Sequence, residues 1–203
     1  YYLFMKFKKI KKIFLIILAL IILPNSKVFA DSKLFISKLT SEASKVLASN
    51  ESKEQKMEKL INLAEKNVDI DGIGRYTLGK YRKTLNEDQI KEYENLFRKY
   101  FLKSFSSRLS EYTDPKINVI SEEVINSKYT IVFSVLEADE KRPEIKIDWR
   151  VYTVNPEKPL VRDLIIEGLS LARTQREEFN SIIQNGEGDI KVLFLNLRNF
   201  ISG

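Results

Sequence analysis

Apolar residues recur at steps of three and four through the first half of the chain, which is the spacing of one helix face. The pattern predicts two helices over residues 32–66, separated by a polar break at 49–52. A short helix is predicted over 71–81. Its Gly72-Ile73-Gly74 segment lacks the preceding strand and the third glycine of a dinucleotide-binding loop. The first half is therefore predicted to be helical and without a nucleotide site.

The longest predicted helix begins at Asn86, because Gln89 three residues later completes a capping-box pattern. It is predicted to end at Asp114-Pro115, since the residue before a proline disfavours helical backbone. One broad stripe of large residues runs along this helix: Ile90, Tyr93, Leu96, Phe97, Tyr100, Phe101, Phe105, Leu109 and Tyr112. Such a stripe is typical of ordinary core packing, and it is equally compatible with rings that line a cavity.

After residue 116 the pattern changes to a period of two, the spacing of a half-buried strand. Short connections favour an antiparallel meander, with strands predicted over residues 117–122, 129–137, 144–154 and 160–167. The third strand alternates cleanly, with Ile145, Ile147, Trp149 and Val151 on one face and Lys146, Asp148, Arg150 and Tyr152 on the other. Helices are the available cover for the apolar face. The predicted fold class is α+β, a curved antiparallel four-stranded sheet wrapped by several helices.

The segment 159–198 combines an apolar strand with two amphipathic helices. Gly168 ends the strand, and Asn185-Gly186 separates the helices. Long apolar faces dominate this segment, and groups suited to acid–base or nucleophilic chemistry are few. This composition favours a protein that holds an apolar ligand over one that cleaves a polar substrate.

Residues 1–30 have the order of a secretory signal peptide. Five lysines lie between Lys6 and Lys12, an apolar run covers 13–23, and Val28-Phe29-Ala30 forms a small-residue cleavage site. Eleven apolar residues fall short of the ~20 that a membrane-spanning helix needs. Met5 is the expected initiator, and the four residues before it are read as a mis-set start. We expect a single mature domain over 31–203 in the periplasm, soluble and without a lipid anchor.

The charge balance changes once this segment is removed. Its six lysines account for the whole excess of 34 basic over 28 acidic residues, so the mature chain is formally neutral. Nucleic-acid binding depends on a net basic surface that displaces counterions. The sequence therefore predicts no nucleic-acid partner.

The chain contains neither cysteine nor histidine. Their absence excludes Ser-His-Asp and Cys-His catalysis and the usual zinc sites. An enzyme on this scaffold would have to use carboxylates or a tyrosine, with Asp148, Asp163, Glu167 or Tyr129 as the candidates. Asp163 and Glu167 lie about 13 Å apart along a strand, farther than the ~5–9.5 Å of paired-carboxylate glycosidases. We predict no catalytic residue, no metal and no enzyme, with the carboxylate enzyme kept as an alternative.

Three segments resemble the MlaC family, the periplasmic phospholipid-shuttle or toluene-tolerance proteins. They are VDIDGIGRYTLGKY at 68–81, QIKEYENLFRKYF at 89–101 and VRDLIIEGLS at 161–170, the last followed by Arg176, Phe179 and Ile182-Ile183. The resemblance covers nearly the whole mature chain, and the third segment is the most diagnostic. Arg82 stands where the family commonly has Trp, and Gln175 where Tyr commonly precedes the arginine.

The resemblance implies an NTF2-like cone that encloses an apolar lipid cavity between sheet and helices. It also implies a soluble carrier that moves phospholipid between two partners and so maintains outer-membrane lipid asymmetry. The partners would be an outer-membrane lipoprotein–porin complex and an inner-membrane Mla ABC transporter with a membrane-anchored substrate-binding subunit. Phospholipid would be the cargo, and no cofactor is expected.

Candidate cavity-lining residues are chosen from the apolar faces, and each is also compatible with plain core packing. They are Phe97, Phe101, Phe105, Ile131, Phe133, Val135, Ile145, Ile147, Trp149, Val151, Leu164, Ile166, Phe179 and Ile183. Arg173 and Arg176, near a helix start predicted at Ser170, are the candidates for a lipid phosphate because helix N-termini attract anions. Asp163 is expected to be structural. A carrier of another lipid, such as a hopanoid, and a ligand-free partner of a membrane complex remain alternatives.

Overall fold

The chain runs from three helices through a longer helix into a sheet and ends in two further helices. The computed structural model describes residues 30–140 and 142–203, so the predicted signal peptide lies outside the described residues except for Ala30. The helices are α1 (Ser32–Ala48), α2 (Lys53–Asn67), α3 (Ile70–Thr77), a 3-10 turn (Gly79–Lys83), α4 (Glu87–Leu109), α5 (Leu171–Asn185) and α6 (Ile190–Ser202). No helix in this part of the chain is both long and apolar enough to cross a membrane.

The helix boundaries follow from capping side chains. The capping box predicted at Asn86 and Gln89 is confirmed, and Ser52 with Gln55 forms a second one at α2. The predicted short helix ends earlier, at Thr77, because Gly79 has a left-handed φ of 56°. The long helix ends at Leu109 rather than at the Asp114-Pro115 step, where Asp114 also has a positive φ of 51°.

The four predicted strands are confirmed, and a fifth, two-residue strand joins them. The strands are β1 (Ile117–Asn126), β2 (Tyr129–Leu136), β3 (Ile145–Tyr152), β4 (Leu160–Ile166) and β5 (Leu169–Ser170). They pair antiparallel in the order β1-β2-β3-β4-β5. The fifth strand forms because Glu167 and Gly168 both have positive φ, which makes a tight turn back onto β4. The predicted α+β class is therefore confirmed, with five strands instead of four.

One face of the sheet, called here the α1 face, packs against α1. Val132, Trp149 and Leu164 are cross-strand neighbours on it. Its core contains the buried residues Ile36 of α1 and Val132, Val151 and Val161 of the sheet. The α1 face also contains a polar contact, in which the indole Nε1 of Trp149 donates to Ser134 Oγ at 2.8 Å.

The opposite face, called here the open face, carries the alternate residues of the same strands. Phe133 pairs with Asp148, and Ile131 pairs with Arg150, which in turn pairs with Asp163. Of the described residues on this face, Ile131 and Asp163 are the buried ones, and Phe133, Val135 and Ile165 are half-buried.

A second core lies among the helices. Tyr93 and Phe97 of α4 pack edge-to-face on Phe179 of α5, and α3 and α6 contribute further buried residues. The Tyr93 hydroxyl lies 2.7 Å from Thr77 Oγ1. Burial raises the pKa of Tyr93 far above its usual value, so the phenol stays neutral. The described residues thus form two clusters of buried side chains, one between α1 and the sheet and one among α3–α6.

Candidate functional site

A cleft with a volume of about 380 Å³ opens on the open face, between the sheet, α3 and the start of α5. This volume is near the lower end of the ~300–1,000 Å³ typical of ligand sites. The lining mixes apolar, aromatic and charged side chains: Tyr76, Ile125, Asn126, Tyr129, Ile131, Arg150, Arg162, Asp163 and Ala172. Such a lining can hold an apolar group and a charged group at the same time.

Asp163 connects the wall of the cleft to α5. Its carboxylate is 5% exposed and accepts hydrogen bonds from Ser170 Oγ at 2.6 Å and from the backbone N–H of Ala172 at 3.0 Å. A guanidinium nitrogen of Arg150 lies 3.8 Å away. A buried carboxylate needs such donors, because a buried charge without partners is strongly unfavourable. Asp163 is thus structural, as the sequence predicted.

Arg162, the residue before Asp163 in β4, connects the sheet to α3. It forms an ion pair with Asp69, and its guanidinium lies 4.9 Å from the centre of the Tyr152 ring. Asp69 also caps α3 by accepting from the N–H of Gly72 at 2.9 Å. Glycine at position 72 leaves room for this ion pair, since an added Cβ would lie 2.4 Å from Arg162 Cζ. The charge of Arg162 is therefore used within the fold.

Tyr76 lines the cleft on the helical side, and Arg176, which is not itself a lining residue, lies against the Tyr76 ring at the edge of the cleft. Tyr76 is 40% exposed, and the guanidinium of Arg176 lies 5.1 Å from the centre of its ring. Gly79 allows this position, because an added Cβ would lie 2.9 Å from Arg176 Nε. A cation over an aromatic face is attracted by the ring quadrupole. The arrangement holds Arg176 at the edge of the cleft without a carboxylate partner among the described residues.

The structure divides the fourteen predicted lining residues among three places. Ile145, Ile147, Trp149, Val151, Leu164 and Ile166 share the α1 face. Phe97, Phe101, Phe179 and Ile183 lie in or against the helical core, where Phe105 stacks on Phe101. The remaining three are on the open face: Ile131, Phe133 and Val135. Among them, Ile131 lines the cleft.

The two arginines predicted near a phosphate are in different positions. Arg173 is exposed in the first turn of α5 and is not among the lining residues. Arg176 is likewise exposed and not a lining residue, but its guanidinium lies against the ring of Tyr76, which lines the cleft. The helix N-terminus itself offers little to an anion, since Asp163 takes the N–H of Ala172 and Ser170 Oγ takes that of Arg173. Arg173 and Arg176 were predicted on the argument that helix N-termini attract anions. At this helix the N–H groups are already used within the protein, so the argument does not apply.

Six lining residues were named neither as cavity-lining candidates nor as candidates of the enzyme alternative: Tyr76, Ile125, Asn126, Arg150, Arg162 and Ala172. The alternation of β3 places Arg150 on the polar face of the sheet, and the lining candidates were chosen from the apolar faces. Ile125 and Arg162 lie at irregularities in the strand pairing, and bulges of this kind redirect a side chain in a way that a period of two does not show.

Asp148 and Glu167, the other carboxylates considered for the enzyme alternative, are not among the residues that line the cleft. Glu167 Oε1 accepts from the backbone N–H of Lys146. Burial raises the pKa of Asp148, Glu167 raises it further and Lys146 opposes the shift. Among the described residues, no group of three or more acids is placed to hold a metal ion.

Comparison with known proteins decides the family. A family model described as MlaC protein matches residues 37–199, most of the chain. The chain belongs to the MlaC family. The resemblance found in the three sequence segments is thereby confirmed. No match was found among curated proteins.

The fold of this chain is also similar to that of a solved structure. The solved structure is that of a phospholipid-binding protein from Ralstonia solanacearum in complex with a phospholipid, with a TM-score of 0.70 and 14% sequence identity. The match covers 85% of this chain and 98% of the other. At that identity the likeness establishes the shared fold.

Proposed function

We propose that this MlaC-family chain is a periplasmic phospholipid carrier and not an enzyme. It shuttles lipid between an outer-membrane lipoprotein–porin complex and an inner-membrane Mla ABC transporter, and so maintains outer-membrane lipid asymmetry. The family match over residues 37–199 carries this proposal. The phospholipid held by the Ralstonia neighbour of the same fold supports it. Residues 1–30 serve as the signal for export.

The cleft and the apolar strip beside it are the proposed lipid site. A two-chain lipid needs more room than the cleft gives, so its chains extend along β2 on the open face over Phe133 and Val135, whereas Ile165 is separated from Phe133 by Asp148. Burying a methylene contributes ~0.8 kcal/mol, so two ordinary chains contribute roughly 20 kcal/mol before the cost of ordering. An exposed ion pair contributes about 0–1 kcal/mol. The acyl chains therefore dominate the affinity.

The direct test is to identify the lipid that the protein carries. The chain is produced with its export signal in a bacterium, purified from the periplasm without detergent and extracted with organic solvent for mass spectrometry. We expect close to one diacyl phospholipid per protein. A well-folded protein free of lipid would contradict the proposal, and recovery of a hopanoid would assign a different cargo.

A variant on the open face tests the position of the site. Phe133→Asp places a charge where we propose acyl chains lie, so bound lipid should fall at least tenfold while the half-buried position tolerates the change. Val124→Asp is the matched control, because Val124 is 52% exposed and pairs with Thr130 on the α1 face. Equal lipid loss in both variants would contradict a site on the open face.

A further inference from the structure

The charged groups around the cleft differ in how far the fold already uses them. Arg162 is paired with Asp69, which also caps α3. Asp163 is buried and accepts from Ser170 and from the N–H of Ala172. These contacts attach α3 and α5 to the sheet, and within the described residues they leave Arg162 Nε buried without a hydrogen-bond partner.

Arg150 stands on the sheet side of the cleft with its donors available. Its side chain is 44% exposed, and the nearest carboxylate oxygen, on Asp163, lies 3.8 Å away, beyond hydrogen-bonding distance. Within the described part of the chain the guanidinium of Arg150 donates no hydrogen bond. The cross-strand ion pair keeps the guanidinium directed toward the cleft that both residues line.

Arg176 stands on the helical side of the same cleft. The ring of Tyr76, itself a lining residue, and the close approach to Gly79 fix its guanidinium. A guanidinium held over a ring keeps its N–H donors for another partner. No acidic side chain pairs with it in the part of the chain that the structure describes.

We propose that Arg150 and Arg176 bind the phosphate of the lipid headgroup from two sides, and that the carrier therefore prefers anionic phospholipids over zwitterionic ones. Arginine matches phosphate oxygens with a planar fork of donors. A zwitterionic headgroup brings an ammonium as well, and the cleft has no carboxylate free to receive it, because Asp163 is already used. A lipid is favoured over free phosphate as the source, since the apolar strip of Phe133 and Val135 continues from the cleft.

The test measures headgroup selection separately from lipid loading, because this inference rests on the carrier function proposed above. Purified mature protein is incubated with mixed vesicles of phosphatidylglycerol and phosphatidylethanolamine with identical chains. It is then separated from the vesicles, and both lipids are quantified. We expect about tenfold enrichment of phosphatidylglycerol in the protein, because both lipids offer the phosphate but the two guanidinium groups repel the ammonium of phosphatidylethanolamine.

Arg150→Gln and Arg176→Gln should each reduce the enrichment about threefold, and the double variant should bring it close to one with total lipid unchanged. Arg173→Gln is the matched control: it removes the same charge from an exposed position in α5 outside the cleft. It also corrects for attraction of the whole protein to anionic vesicles. Arg176→Gln and Arg173→Gln should unfold at the wild-type urea midpoint, whereas Arg150→Gln should unfold at a somewhat lower one because it removes the ion pair with the buried Asp163.

Three results would overturn the inference. Full lipid loading without enrichment in the wild-type protein would refute headgroup selection and leave the carrier function intact. An equal effect of Arg173→Gln would assign the preference to net charge. Failure of the wild-type protein to take up either lipid would refute the carrier function, and the inference with it.

Discussion

The two faces of the sheet are built from the same strands but differ in how they are covered. On the α1 face, Val132 and Val151 are fully buried against Ile36, and the packing excludes water. On the open face, the cross-strand pair Arg150 and Asp163 lies beside half-buried apolar residues and a cleft. The α1 face, which is the more apolar and the more deeply buried, is thus already covered by α1. Space for a ligand lies on the more polar face.

The largest expected effect comes from the α1 face. Ile36→Ala removes a side chain with 0% exposure and should lower the free energy of unfolding by about 2–5 kcal/mol. Urea denaturation measures this loss. Leu34→Ala on the same helix is the control, since Leu34 is 47% exposed and should cost less than about 0.5 kcal/mol. Lipid bound per folded molecule should not change; a large loss of lipid in Ile36→Ala would extend the lipid site to this face.

The next effect concerns the open face. Asp163→Ala leaves the donors of Ser170 and Ala172 without their acceptor and should cost about 1–3 kcal/mol. Lipid loading should also fall, because α5 is then less firmly held beside the cleft. Asp189→Ala, which removes the cap of α6 by an equivalent change, should cost ~1 kcal/mol and leave lipid loading intact. Equal lipid loss in the two variants would show that Asp163 has no special role at the cleft.

The sequence was informative about the elements and the faces, and much less so about the cleft. Period-two alternation correctly separated Ile147 and Trp149 from Asp148 and Arg150, because side-chain direction in a strand is a local property. It also predicted that helices cover the apolar face, which α1 does, but it did not show that α1 fills this face. The predicted cavity therefore combined residues of the α1 face with Ile131 of the opposite face.

Other features of the site depend on contacts between distant segments. Arg162 meets Asp69 only because α3 docks on β4, and the strand irregularity beside Arg162 has no sequence marker. Gly79 illustrates the same limit. Its place in a family-like Leu-Gly-Lys-Tyr segment was visible, but its reason, the approach of Arg176, is a tertiary contact.

A smaller effect tests how far the α1 face depends on polar contacts. Trp149→Phe keeps most of the ring and removes the donor to Ser134 Oγ, which still donates to the carbonyl of Ile147 at 2.8 Å. We expect a loss of about 0.5–1.5 kcal/mol in the free energy of unfolding. Combination with Ser134→Ala in a double-mutant cycle measures the coupling. Strict additivity of the two substitutions would mean that the hydrogen bond contributes nothing.

The smallest expected effect concerns Asp148, the half-buried carboxylate of the open face. Burial raises the pKa of Asp148, and Glu167 adds to the shift while Lys146 opposes it. A raised pKa means that the folded protein binds the proton more tightly than the unfolded chain. Stability from this group is therefore present at low pH and declines as pH rises through the window between the unfolded and the folded pKa.

Asp148→Asn should consequently be more stable than the wild type at pH 7, by less than about 1 kcal/mol because solvent screens the site. The difference between the two proteins should shrink as pH falls below the usual range of an aspartate, since the wild-type carboxyl is then neutral as well. Thermal unfolding across this pH range measures both trends. A variant less stable than the wild type at neutral pH would mean that Asp148 is favoured as an anion, so that the open face tolerates charge without cost.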